Sequence, residues 1–177
     1  MNADRDAIER LEALGLPYYV TGSWALGAYA EPRMTRDIDV VLAIDSAVYE
    51  RVVRPAFDDD WLVNDPIKLG GRFIAGVIHR QEIARVDLIF GRSDAFARSA
   101  MERRRRLDHP ALGQTWLVGP EDLVLAKLEW SDGGRSELQL RDVRSVVRLN
   151  ENLDWPYLER YAGVLGVRDL LENVRHG

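Results

Sequence analysis

The chain has 177 residues, a net charge of −5 and no cysteine. Without cysteine there is no disulfide and no thiolate metal site, and no apolar run approaches the ~18 residues needed to span a membrane. The acidic balance argues against a general polyanion binder, whose affinity would rest on basic surface, while leaving room for a local basic patch.

A hydrophobic content of 46% suits an ordinary globular core, and the length allows one domain or a domain with a helical appendage. The charged N-terminus carries no apolar leader, so a cytoplasmic setting is expected. Residues 6–14 read as an amphipathic helix. Ile8, Leu11 and Leu14 recur at three-residue steps, Asp6 with Glu9 suits a capping box, and Gly15 suits the C-terminal cap. Pro17 introduces a first strand, Tyr18-Tyr19-Val20, that ends in Gly22-Ser23. Residues 23–30 read as a small, alanine-rich helix, with Trp24 and Leu26 as core. Pro32, Arg33 and Arg36 lead into a second apolar run, Asp37-Ile38-Asp39-Val40-Val41-Leu42.

Residues 46–57 read as a helix with Val48, Val52 and Val53 on one side, followed by an acidic turn, Asp58-Asp59-Asp60, of the kind that is usually solvated. From Trp61 to Phe90 short apolar runs with glycine breaks predict a meander of strands. Residues 94–106 are predicted helical, with Arg103 to Arg106 placed favourably at the negative end of the helix dipole; the alternative is a basic landing site for an acceptor's phosphates. Thr115 to Val118 form a last strand. Gly119-Pro120-Glu121 marks a helix start, Ser131 to Gly134 a loop, residues 136–149 a second helix, and the tail two more short helices. A boundary near Val118 to Pro120 divides residues 1–118 from a helical region, 119–177.

Two features of this pattern carry chemistry. Asp is depleted in strands, yet Asp37 and Asp39 sit in one, and alternation points both to the same face. Neighbouring carboxylates repel and cannot both stay ionised away from water without a cation. A hard divalent ion takes oxygen ligands and bridges to phosphates. The plainer alternative makes Asp37 a turn residue and Asp39 a half-exposed strand position. Upstream, Gly22-Ser23 falls where a strand ends and a helix begins. A helix N-terminus offers free N–H groups to phosphate, and Gly lets the backbone come close. Together they describe a site for a nucleoside triphosphate. Asp87 interrupts the run Val86, Leu88, Ile89, Phe90, where stability alone would not place a charge. Lys127, in the buried helix after Pro120, could hold a triphosphate or snorkel to solvent. Asp142 could orient Lys127 or pair with an arginine. Arg33 and Arg36 could reach a phosphate or make surface ion pairs.

Gly22-Ser23, Asp37-Ile38-Asp39 and the later Asp87 resemble the DNA polymerase β-like nucleotidyltransferase superfamily. The resemblance implies an α+β nucleotidyltransferase fold, a mixed twisted sheet flanked by helices, here with a C-terminal helical, bundle-like segment. It implies that Asp37, Asp39 and Asp87 hold two Mg²⁺ ions, that Gly22 and Ser23 take the phosphates of an NTP, and that an NMP passes to a hydroxyl acceptor. Residues 119–128 with Arg141-Asp142-Val143 are similar to the AbiEii-like bacterial toxin–antitoxin branch, which carries a helical Lys and a later Asp. That branch implies a tRNA end or a protein as acceptor and a cognate toxin or antitoxin as partner. A non-catalytic partner-binding module and an aminoglycoside-type small-molecule nucleotidyltransferase are the alternatives; no membrane partner is expected.

Overall fold

The computed structural model describes residues 2–57 and 59–176. Helix α1 (Ala3–Ala13) leads into strand β1 (Tyr18–Val20), helix α2 (Gly22–Tyr29) and strand β2 (Asp37–Leu42). A helical run, α3 (46–57), changes pitch twice: Ser46–Val48 is α-helical, Tyr49–Val53 π-helical and Arg54–Phe57 3₁₀. Strands β3 (Trp61–Val63), β4 (Ile67–Leu69), β5 (Arg72–His79) and β6 (Arg85–Phe90) follow, then α4 (Ala95–Glu102), β7 (Arg105–His109) and β8 (Gly113–Leu117). The chain ends in α5 (Pro120–Glu129), α6 (Glu137–Leu149), α7 (Trp155–Leu165) and α8 (Arg168–His176).

The strands form one mixed sheet in the order β3-β5-β6-β2-β1-β8-β7, with β4 pairing β5 off this path. β2 lies antiparallel to β1 and parallel to β6. Both central strands alternate in burial. Ile38, Val40 and Leu42, with Val86, Leu88 and Phe90, go into the core, which turns Asp37, Asp39 and Val41, with Arg85, Asp87 and Ile89, to the other face. The core itself is continuous, running from Ile8 and Leu11 of α1 through the sheet to Leu123 and Leu128 of α5 and Val143 of α6.

Two local expectations are corrected. The cap of α1 is Asn2, whose side chain accepts from the Asp4 amide at 3.0 Å. Asp6 instead takes Arg10 at 2.7 Å and the Trp61 indole N–H at 3.1 Å. The helix predicted over 94–106 stops at Glu102, capped by Asp94 at its start. Arg105 and Arg106 open β7, which pairs antiparallel with β8, Arg105 opposite Leu117 and His109 opposite Gly113. The arginine run is shared out by this hairpin. Arg104 and Arg106 lie over the Trp116 ring at 4.3 and 5.4 Å, and Arg103 turns inward. There it stacks on Tyr157 at 4.0 Å and bonds Glu121 at 2.9 Å, beside the fully buried Asp122. The Tyr157 hydroxyl donates to Asp122 at 2.5 Å, so one polar cluster pins α4, α5 and α7 together. Burial pushes the Asp122 carboxyl up to about 6. Of the acidic turn, Asp58 lies outside the described residues, and Asp59 and Asp60 are exposed.

Candidate active site

The site begins with a backbone position that only glycine tolerates. Gly22 opens α2 with φ +63°, and a Cβ built on it would stand 2.0 Å from Oδ2 of Asp39. Helix start and carboxylate are thus in van der Waals contact, tied further by the Thr21 amide donating to the Asp39 carbonyl at 2.8 Å. Thr21 makes no side-chain cap bond to the helix, so no side chain of the cap consumes the donors of the first turn. Ser23 follows, buried at the second position of α2. Gly22→Ala is expected to lower stability by about 1–2 kcal/mol for the left-handed backbone alone and to push Asp39 aside; a thermal melt measures the loss.

Asp39 and Asp87 stand opposite each other in the parallel register of β2 and β6. Burial, then the like charge of Asp87, raises the Asp39 carboxyl from 3.8 to about 6; Lys127 works against that rise. Gly76 of β5 stands opposite Asp87, where a Cβ would meet Oδ1 of Asp87 at 3.4 Å. Asp37 occupies the same face but is exposed at the strand entry, in register with Arg85. Arg85 donates to Asp87 at 2.9 Å. Among the described residues no three acidic or histidine groups converge into a ready cage. The pair Asp39 and Asp87 is nonetheless a donor set that suits a hard divalent cation: two neighbouring oxygen-bearing groups, the charged form of Asp39 disfavoured by burial and by Asp87.

Lys127 closes the site from α5. Its ammonium is buried and donates to Asp142 at 2.7 Å and to Gln139 at 3.2 Å, both on α6. Asp142 also receives Arg33 at 3.4 Å. A cavity of about 330 Å³ is lined by Gly22, Asp39, Asp87 and Lys127. Asp142 and Arg33 stand behind Lys127, Ser23 and Asp37 are outside the lining, and Arg36 is exposed on the loop before β2.

Part of the cavity went unread in the sequence. Glu129 accepts both Arg92, at 2.9 and 2.8 Å, and Arg72, at 2.9 Å. Arg72 lies over Trp130 at 4.8 Å. Val41, Ile74, Ile89 and Phe96 complete apolar walls. Arg85 carried a usable signal, since two residues before Asp87 on a strand means the same face. Arg72 and Arg92 carried none, because they meet Glu129 only through the packing of α5 on the sheet.

No family model matches the chain, and no curated protein matches its sequence. Solved structures resemble it in backbone. The antibiotic-resistance factor ANT(2″)-Ia gives a TM-score of 0.57 at 14% identity, covering 90% of this chain and 91% of its own. A nucleotidyltransferase candidate from Thermotoga maritima gives 0.55 at 15% identity over 77% and 88%. The lincosamide antibiotic adenylyltransferase LnuA, lincomycin-bound, gives 0.50 at 12% identity over 83% and 98%. At these identities the likeness establishes the fold: a mixed twisted sheet flanked by helices, shared with nucleotidyltransferases.

Proposed function

We propose that the chain is a metal-dependent nucleotidyltransferase that moves an NMP from an NTP to a hydroxyl acceptor. The observation that carries the reading is the contact of Gly22, at the start of α2, with Asp39, itself in register with Asp87. Asp39 and Asp87, with Asp37 at the rim, would hold Mg²⁺, which when bound neutralises the triphosphate and lowers the pKa of an attacking hydroxyl. The amides of Gly22 and Ser23 face the phosphates with the positive end of the helix dipole. Lys127, fixed by Asp142, adds a buried positive charge to the cavity wall. Asp87 accepts the proton of the acceptor hydroxyl.

The 2.7 Å ion pair of Lys127 with Asp142, matching the helical Lys and later Asp of the AbiEii-like branch, supports the finer reading, a toxin–antitoxin enzyme acting on a tRNA end or a protein. The apolar walls of the cavity favour a second reading, a partly apolar small-molecule acceptor of the kind that LnuA is named for rather than a polycationic aminoglycoside. The test is incubation with each α-labelled NTP, Mg²⁺ and cell lysate. Label should pass to one macromolecule with the wild-type chain and not with Asp87→Asn. Equal labelling by both proteins overturns the reading, and label appearing on an added antibiotic instead selects the second.

A further inference from the structure

A second concave surface lies behind Lys127. It is a groove of about 720 Å³ between α6, α8 and the loop before β2, lined by Arg33, Arg141, Arg144, Arg148 and Arg175 with only Glu31 and Asp142 in opposition. With Glu137 and Glu159, which pair Arg144 and Arg175 from beside the groove, four carboxylates face five guanidiniums, a local excess of positive charge on a chain whose net charge is −5. The local basic patch that composition left room for is therefore here. Arg141, Arg144 and Arg148 fall at i, i+3 and i+7 on one face of α6, a span of about 10 Å.

Arg33 is held by the buried Asp142 at 3.4 Å, while three others have exposed, replaceable partners. Arg148 meets Glu31 at 3.2 Å, Arg144 meets Glu137 at 3.7 Å, and Arg175 meets Glu159 at 2.7 Å, with side chains 41–80% exposed. Exposed pairs of this kind contribute little stability, whereas a phosphate offers charge-assisted, bidentate bonding to a guanidinium. Among the described residues that line the groove there is no lysine and no aromatic ring, so it suits a sugar–phosphate backbone rather than stacked bases. Its walls are helices and a loop, which give an acidic peptide no strand edge to pair with. The groove also adjoins the cavity: Asp142 lines the one, Lys127 lines the other, and their 2.7 Å ion pair forms the wall between them.

We infer that this groove holds the phosphate backbone of a nucleic-acid strand whose terminal hydroxyl is the acceptor. The inference rests on the transferase reading for the word acceptor and on the arginines for the strand. Attack of that hydroxyl oxygen on the α-phosphorus forms the new ester bond, breaks the bond to pyrophosphate and passes the hydroxyl proton to Asp87.

The experiment is fluorescence anisotropy with a labelled 12-nucleotide single-stranded RNA, the matching DNA as a parallel arm, and a salt series. Three phosphate contacts at about 0.7 each predict a log–log salt slope near −2. Arg141→Ala with Arg148→Ala should weaken binding at least tenfold and take away more than half of that slope. Arg51→Ala with Arg80→Ala removes the same charge from exposed positions elsewhere and should change neither. Tighter binding in one arm identifies the sugar. A flat salt response, or equal losses in both double variants, overturns the inference. The same RNA is then offered with Mg²⁺ and labelled NTP. Label on the RNA upholds strand and acceptor together. Label found only on a protein or small molecule of the lysate overturns this inference and leaves the transferase reading standing. RNA held by the arginines with no acceptor labelled overturns the transferase reading and leaves the strand in the groove.

Discussion

Asp39→Asn is expected to stabilise the ligand-free protein while abolishing nucleotide transfer. The Asp39 carboxyl is raised from 3.8 to about 6, chiefly by burial and by Asp87. Between roughly pH 4 and 6 the folded chain keeps a proton that the unfolded chain has released, so the contribution of this group to stability falls as pH rises through that window and stays low above it. Two pKa units at 1.36 kcal/mol each set an upper bound of about 3 kcal/mol at neutral pH. Asparagine has the same shape and no charge, so a gain of about 2 kcal/mol is expected, some 4–8 °C in the melting temperature of a chain this long. The gain should shrink as pH is lowered towards 4. Transfer should fall on the order of 10²–10³-fold or more, the scale of losing a charge-stabilising group at a reacting centre. Melting curves at pH 4.5 and 7.5 for both proteins, with the transfer assay, check all three statements.

Lys127→Ala is the second large effect, in the opposite direction. Lys127 and Asp142 have side chains only 5% exposed at a separation of 2.7 Å. Removing the ammonium leaves a buried carboxylate with Arg33 at 3.4 Å as its remaining cation. Breaking one side of a buried pair costs about 3–5 kcal/mol, or roughly 10 °C in melting temperature. Transfer is lost as well, which alone would not separate function from folding. Lys127→Met with Asp142→Leu separates them, because replacing a buried pair by apolar groups is often neutral. This double variant should recover most of the stability of the wild type and none of the activity. Recovery of both would make the pair a structural strut and remove Lys127 from the site.

The sequence made some of this legible for physical reasons. Glycine followed by serine between an apolar strand and a small-residue helix states a junction, and the junction is where Gly22 stands. Aspartates at alternate positions of an apolar run can only share a face. Asp39 and Asp87 are separated by 47 intervening residues, and their register opposite each other depends on a meander that inserts β3, β4 and β5 before β6. The odd placement of Asp87 hinted at the pairing, but nothing local encodes it. Asp37 looked equivalent to Asp39 and is not: one position sits at the strand entry beside Arg85, the other under Gly22. The arginine run misled because cations suit a helix C-terminus, while the alternation that makes β7 is visible only once β8 lies beside it. Lys127 with Asp142 was readable as two oddly placed charges on successive helices. The arginine groove behind them has no local signature, since its residues come from the loop before β2, from α6 and from α8.

The account turns on a divalent cation between Asp39 and Asp87. Mn²⁺ binding, followed at pH 7.5 by the loss of the free-ion EPR signal beyond that caused by the same non-hydrolysable nucleotide without protein, tests it most directly. The wild-type chain should take up the ion saturably, and Asp39→Asn and Asp87→Asn should each weaken uptake at least tenfold while remaining folded. Uptake by either variant equal to that of the wild type would contradict the account.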